Sequence, residues 1–393
     1  MREKECNVVI RGCHAAPVAQ GWQPMSTVRI GVVGLGLMGA NHASSIAAGK
    51  IKGLELTAVV SSDPAKRSRF PKARGFSTTG EMIESGLVDA VLIATPHYAH
   101  TSIGIQALKA GLHVLVEKPI SVHKADAEKL IAAHTNRKKT FAVVFNQRTD
   151  PFFKKIRQLV QGGELGAVRR IQWTITDWFR TDAYYGSSPW RATWAGEGGG
   201  VLLNQCLHNL DLFQWLFGMP QRVTGFCRFG RYHPIEAEDD VTAHFEYPDG
   251  KHATLITSTG EAPGTNRLEI AAERGRLIYE NDKLTFTRNE VPMSDFCRTS
   301  KDGFAKPATW DVAIPIVGHG GQHLEILQNF ADAIIDGAPL LAPAAEGLRS
   351  VELANAIVLS TWTGKPVDLP LNGKTYLRHL KQKIAAVKAG RKL

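Results

Sequence analysis

Val28-Arg29-Ile30-Gly31-Val32-Val33 is a short apolar run, and Gly34-Leu35-Gly36-Leu37-Met38-Gly39 follows it without a break. This is the pattern of a strand, a glycine turn and a helix. Gly34 permits the tight turn out of the strand. Gly36 has no Cβ, so a pyrophosphate can approach the backbone, and Gly39 lets the helix pack against the strand. That helix, expected over about 38–48, offers free N–H groups and the positive end of its dipole to an anion. A lone G-x-G-x-x-G is weak, because glycine turns are common. Here the strand before it and the helix after it are both present, which assigns Gly34, Gly36, Leu37, Met38 and Gly39 to a bound dinucleotide.

About 80 residues later a second apolar run, His113-Val114-Leu115-Val116, ends in Glu117-Lys118-Pro119. Between and around the two runs strands alternate with helices. Strands are expected at 54–60, 89–94, 112–116 and 141–145, with helices at 63–70, 100–110 and 124–135. Continuous β-branched runs alternating with helices imply a parallel sheet covered on both faces. After Asn146-Gln147-Arg148 the pattern changes. A helix (151–160) leads to a strand (168–177), an aromatic-rich loop (178–194) and a helix (200–217). Several strands then run from 222 to 287 with no helix between them, and helices at 322–336 and 343–363 close the unit, as in an α+β domain. The expected organisation is a dinucleotide-binding domain at 28–148, a substrate and oligomerisation domain at 149–371, and a basic tail at 372–393. Residues 1–27 carry no periodic pattern. They read as a disordered extension, or as a start placed too early with Met25 as the natural first residue.

Four ordered landmarks carry a family resemblance: the glycine turn, Ala94-Thr95-Pro96-His97-Tyr98-Ala99-His100, Ala110-Gly111-Leu112-His113-Val114-Leu115-Val116-Glu117-Lys118-Pro119, and Gly198-Gly199-Gly200-Val201-Leu202-Leu203-Asn204-Gln205-Cys206-Leu207-His208-Asn209-Leu210-Asp211. With the run 346–356, they make the chain from Val28 to about Leu371 resemble the Gfo/Idh/MocA family, the glucose–fructose oxidoreductase and inositol dehydrogenase relatives. The resemblance implies an N-terminal Rossmann domain, a doubly wound parallel sheet, followed by an α+β domain with a large, mostly antiparallel sheet. It implies hydride transfer between NAD(P) and a hydroxyl-bearing carbon of a sugar, polyol or cyclitol. It also implies that Thr95, Pro96, His100 and Glu117 line the cofactor, that Lys118 is catalytic or orients substrate, and that the bond to Pro119 is often cis.

Hydride transfer asks the protein for position and a proton acceptor. Lys118 ends a strand at the carboxyl edge of the sheet, where ligands bind in open α/β folds, and partial burial there lowers a lysine pKa. Asn204 and His208 are four apart on an expected helix and share its face. The family usually has Asp at the Asn204 position. Asn204 cannot take a proton as a carboxylate can, but its amide can orient a hydroxyl. His208, ordinarily titrating near neutrality, is the expected general base, alone or with Lys118. A packing histidine at the helix start is the plainer alternative. Arg148, Trp178 and Arg191 are the substrate-binding candidates in a cluster that includes Arg180, Tyr184, Tyr185, Trp190 and Trp194, since rings stack on sugar faces and Arg pairs with hydroxyls or acids. His319 and His323 are four apart but lack an H-E-x-x-H frame, so no metal is assigned.

The end of the second strand selects the cofactor, because an acid there grips the ribose hydroxyls of NAD. This chain has Ser61 at that position, with Lys66 five residues on, where the resemblance implies a cation in NADP-using members; this leans towards NADP over NAD, and Asp63 argues the other way. The five cysteines are scattered with no C-x-x-C, so neither a zinc site nor a disulfide framework is indicated. The net charge of +10 owes much to residues 374–393, which hold seven Lys/Arg and no acid. No nucleic-acid motif accompanies it. No apolar stretch reaches membrane-span length and no secretory signal is visible, so a cytoplasmic homo-oligomer acting on a small carbohydrate or polyol is expected, with neither nucleic acid nor membrane as partner. Two alternatives stand beside the dehydrogenase: a non-catalytic dinucleotide-binding regulator, and a glycosidase or lyase that recycles its NAD.

Overall fold

The computed structural model describes residues 27–390. The expectations placed on the first 26 residues, an extension and a start at Met25, lie outside the described residues. Strands β1 (Val28–Val33), β2 (Leu54–Val60), β3 (Arg74–Phe76), β4 (Ala90–Ile93), β5 (His113–Val116) and β6 (Phe141–Val143) form one sheet in the order β3-β2-β1-β4-β5-β6. Every pairing in it is parallel. β4 and β5 are buried at every position, as continuous aliphatic runs require when both faces are covered. The strand order reverses between β1 and β4, so the carboxyl ends of β1, β4 and β5 border one crevice.

The second sheet has nine strands: β7 (Val168–Ile175), β8 (Arg222–Phe229), β9 (Glu238–Glu246), β10 (His252–Ser258), β11 (Asn266–Ala272), β12 (Gly275–Glu280), β13 (Lys283–Asn289), β14 (Thr309–Ala313) and β15 (Val367–Asp368). Their order is β14-β13-β12-β11-β7-β10-β9-β8-β15. Only β7 and β10 pair in parallel. Alternation sets the two faces. Ile171, Trp173 and Ile175 point into the core, while Arg170 on the other face pairs with Glu269. The fold class is the expected one, a Rossmann sheet joined to a mostly antiparallel α+β unit.

The core of the second unit continues under one face of the first sheet. The opposite face of the first sheet is covered by the helix Gln322–Ile335, whose Ile326, Leu327 and Phe330 pack with Val28, Ile30 and Val59. A helix late in the chain thereby brings His323 to the crevice. The basic tail is the helix Gly373–Lys388, tied down by buried Tyr376 and Leu380. No helix among the described residues is long and apolar enough to cross a membrane.

Several boundaries differ from expectation. The helix expected over 200–217 spans only Leu207–Phe217, and residues 201–206 are turns. Glu238 is the cause: its Oε1 accepts from the N–H groups of Gly200 and Leu202, and its backbone oxygen accepts from Val201. These bonds tie the segment to β9 before a helix can start. The helix expected from residue 100 begins at His97, with Pro96 fixing the entry. The helix expected over 63–70 is the single turn Pro64–Arg67. β3, β14 and the helices Thr79–Glu84 and Met293–Thr299 have too little periodicity to be read from sequence.

Candidate active site

The glycine turn has the shape its sequence implies. Gly34 has φ +90, and a Cβ there would meet the Ala94 carbonyl at 2.6 Å. A Cβ on Gly39 would lie 1.8 Å from the Gly34 oxygen, so helix and turn touch backbone to backbone. A Cβ on Gly36 would meet nothing, which leaves that side open to a ligand. The helix Leu37–Ala47 has no side-chain cap and no acid in its first turn, so its leading N–H groups are available to phosphate. Leu37 is 79% exposed beside them, and half-buried Met38 follows. Across the crevice, half-buried Thr95 presents an Oγ1 that is buried without a partner, and Pro96 is exposed. This cradle fits a dinucleotide pyrophosphate.

His100 does not face the crevice. It is fully buried, and its ring nitrogens each lie 2.8 Å from a backbone carbonyl, those of Thr95 and Pro119. It ties the loop after β4 to the cis Lys118–Pro119 turn, and this corrects its expected cofactor contact.

At the second-strand end Ser61 is half-buried, and its Oγ accepts from Asp63 N. Asp63 in turn caps the turn Pro64–Arg67 through Ala65 N. The nearest cation is not Lys66, which is exposed, but Arg67, whose Nη1 donates to the Ser61 carbonyl.

Lys118 emerges half-buried just past β5. Its Nζ donates to Asn204 O at 3.1 Å and to Asn204 Oδ1 at 3.2 Å. Burial lowers the Lys118 pKa below its ordinary 10.5, Arg180 and Arg191 push the same way, and Glu117 and Glu197 oppose. Glu117 accepts from His42 Nε2 at 2.6 Å and from the Lys118 backbone N–H at 3.1 Å. Burial works against its charge, yet His42, Lys118 and His323 outweigh that and hold its carboxyl down at about 2. The expectation that Glu117 lines the cofactor gives way to a buried role beneath Lys118.

Asn204 lies in the turns before the helix, not on it, so its shared face with His208 is not a helical one. Its Nδ2 donates to Glu197 Oε1 at 2.7 Å and to Tyr184 Oη at 3.1 Å. His208, in the first turn of Leu207–Phe217, has an Nδ1 buried without a partner. Burial and the Lys118 charge push its imidazole down to about 3, so it stays neutral through the ordinary pH range. This overturns its expected titration near neutrality. A ring that holds a proton so weakly is a poor general base and a better hydrogen-bond partner.

Of the substrate-binding candidates, Arg191 reaches the site. It donates to Tyr184 Oη at 2.9 Å and lies over that ring. Trp178 is half-buried and donates to Asn209 Oδ1 at 3.3 Å. Arg148 is excluded. It is 1% exposed, held by Asp211 at 2.6 and 2.7 Å and by Glu346, and serves as a buried tie beneath the site. His323 meets His42 with ring centroids 5.6 Å apart, whereas His319 is exposed. Among the described residues no group of three or more His, Cys, Asp or Glu is arranged to hold a metal. Sequence reasoning missed His42, Glu197 and Gln205, the last donating to Tyr184 Oη at 3.2 Å. A charged residue against three glycines, Glu197-Gly198-Gly199-Gly200, was the available signal for Glu197.

A dinucleotide cradle facing a half-buried lysine defines a nicotinamide-dependent oxidoreductase, and comparison with known proteins agrees. Residues 28–145 match the family described as an oxidoreductase family with an NAD-binding Rossmann fold, and residues 153–278 match the GFO/IDH/MocA C-terminal domain. The chain belongs to the Gfo/Idh/MocA oxidoreductase family. It is 26% identical to inositol 2-dehydrogenase of Rhizobium meliloti over 87% of this chain and 99% of that protein. It is 23% identical to levoglucosan dehydrogenase of Pseudarthrobacter phenanthrenivorans over 88% of this chain and 99% of that one. The solved WlbA dehydrogenase of Bordetella pertussis, in complex with NADH and UDP-GlcNAcA, superposes with a TM-score of 0.74 at 24% identity, covering 88% of this chain and all of the other.

Proposed function

We propose that this enzyme interconverts a secondary hydroxyl of a sugar, polyol or cyclitol and the corresponding carbonyl, with Lys118 as the group that takes or returns the proton. The observation that carries this is the pair of bonds from Lys118 Nζ to Asn204. A neutral amine has two N–H groups and one lone pair. Asn204 O and Oδ1 engage two directions and leave the third free for a substrate hydroxyl. Burial makes the neutral amine more accessible than in a free lysine. The nicotinamide, when bound, supplies the hydride acceptor or donor. His208, neutral and with a free Nδ1, orients the hydroxyl, and Arg191 with Tyr184 forms the polar and aromatic wall for the rest of the substrate. The substrate class is supported by relatives named for inositol and levoglucosan.

Gly34, Gly36, Leu37, Met38 and Gly39 would hold the pyrophosphate, with Thr95 and Pro96 opposite. For the adenosine end we favour NADP over NAD. Ser61 carries no charge to repel a 2′-phosphate, and Arg67 is the cation beside it. The test is a panel of inositols, sugars and glycosides assayed for nicotinamide absorbance with each cofactor. Reduced cofactor accumulating with one substrate class supports the proposal. Product release without any net change in reduced cofactor would point instead to transient oxidation in a lyase or glycosidase.

A further inference from the structure

The amide of Asn204 is held from behind by a carboxyl that the chemistry above does not use. Glu197 is 2% exposed. Its Oε1 accepts from Asn204 Nδ2 at 2.7 Å and its Oε2 accepts from Ala192 N at 2.6 Å. Its backbone oxygen accepts from His97 Nδ1 at 3.1 Å, so the residue is fixed along its whole length. Both partners of the carboxyl are donors, and a carboxylate offers two acceptor oxygens where a glutamine offers one. With Nδ2 committed to Glu197 and Tyr184, Oδ1 is left to face Lys118. A flipped amide would set oxygen against oxygen on one side and NH2 against the amine on the other.

We propose that Glu197 is a positioning residue for the reaction: acting through Asn204 it aims Lys118 Nζ, and it supplies the buried negative charge that a neutral asparagine lacks. This rests on Lys118 being the proton-transfer group. The charges around Lys118 are Glu117 beneath it, Glu197 behind Asn204, and Arg180 and Arg191 from the loop above, with the imidazoles of His97, His100, His208 and His323 in range. Burial raises the Glu197 pKa above its ordinary 4.5 against the opposing pull of Ala192 N–H, Arg191, Lys118 and Asn204, while the donors on both of its oxygens are partners that a carboxylate accepts from. Removing its charge takes one of two anions from the lysine and leaves two cations, so the amine should release its proton more readily.

Glu197→Gln tests this. In the direction of oxidation, kcat should fall about 10- to 100-fold with KM little changed, because the amine is misdirected. The limb of the pH profile set by Lys118 should move to lower pH by about 0.5–1 unit. Competitive acetylation of Lys118 in the ligand-free protein, read by mass spectrometry across pH, should show the same displacement with no turnover involved. In an Asn204→Ala background the further loss of kcat from Glu197→Gln should vanish, since the two act as one unit. Should the glutamine variant fold poorly, Glu197→Asp carries the test, with a lowered kcat and an unmoved limb. Native kcat, limb and acetylation profile in Glu197→Gln, or native kcat in Glu197→Asp, would overturn the inference while Lys118→Ala stays inactive. Native turnover in Lys118→Ala would instead overturn the role of Lys118 itself.

Discussion

His42 Nε2 donates to Glu117 Oε1 at 2.6 Å, joining the helix that offers its N-terminus to the pyrophosphate to the strand end that carries Lys118. Both residues are buried, so the bond is shielded from water and salt. One contact thereby sets the spacing between the glycine turn and the Lys118 amine. Replacing His42 by Leu would leave the carboxylate buried without its main partner. The expected cost is about 2–4 kcal/mol in denaturant unfolding at neutral pH. Glu117 ordinarily titrates at 4.5 and is held at about 2 in the fold. Its charge therefore contributes stability that is fully present above about 4.5 and is lost as pH falls through about 2. The Leu variant should show a flatter acid slope. Equal stability of the two proteins at neutral pH would show the bond to be incidental.

Arg67→Ala should weaken NADP binding by about 1–3 kcal/mol and leave NAD binding nearly unchanged, because the guanidinium is the cation held against Ser61. Lys66→Ala should change either affinity little. Fluorescence titration of both dinucleotides decides this. A wild type that binds NAD far more tightly than NADP would contradict the assignment.

Glu238 carries a different burden. Its Oε1 holds the Gly200–Leu202 turn, while its Oε2 is buried without a partner, and burial raises its carboxyl from 4.5 to about 7. Its contribution to stability is full below about 4.5 and is lost as pH rises through about 7. Glu238→Gln should be the more stable protein at pH 8, by about 1–3 kcal/mol, and should lose that advantage at pH 5. Parallel stability curves for the two proteins across that range would refute the raised value.

His208→Asn should lower kcat by about tenfold or more while leaving the acid limb of oxidation where it is. An imidazole pushed down to about 3 has no titration to lend at neutral pH. Disappearance of the limb in this variant would return the role of base to His208.

The parts of this site that were legible in the sequence are those with local causes. The Gly34–Gly39 turn and the strand-end Lys118 follow from chain geometry over a few residues, and the alternation of strand and helix gave the parallel sheet. The rest depends on partners distant in the chain. His42 meets Glu117 75 residues away, and Asn204 sits where Glu238 halts a helix. Arg148 looked like a substrate ligand because its partners, Asp211 and Glu346, lie 63 and 198 residues on. His208 looked like a base because composition cannot report the burial that sets its proton affinity. Lys66 was chosen because a cation stands there in NADP-using members of the family, and only the fold shows that Arg67 is the one that turns back to Ser61.

In the proposed mechanism Lys118 moves the proton while the glycine cradle holds the cofactor, two tasks on separate strand ends. The direct measurement compares Lys118→Ala with wild type for turnover on the substrate found by the panel, and for dinucleotide Kd by fluorescence. A kcat lowered by about 10²–10⁴ with Kd changed less than about threefold is expected if Lys118 has this role. Near-native turnover in the variant would contradict it.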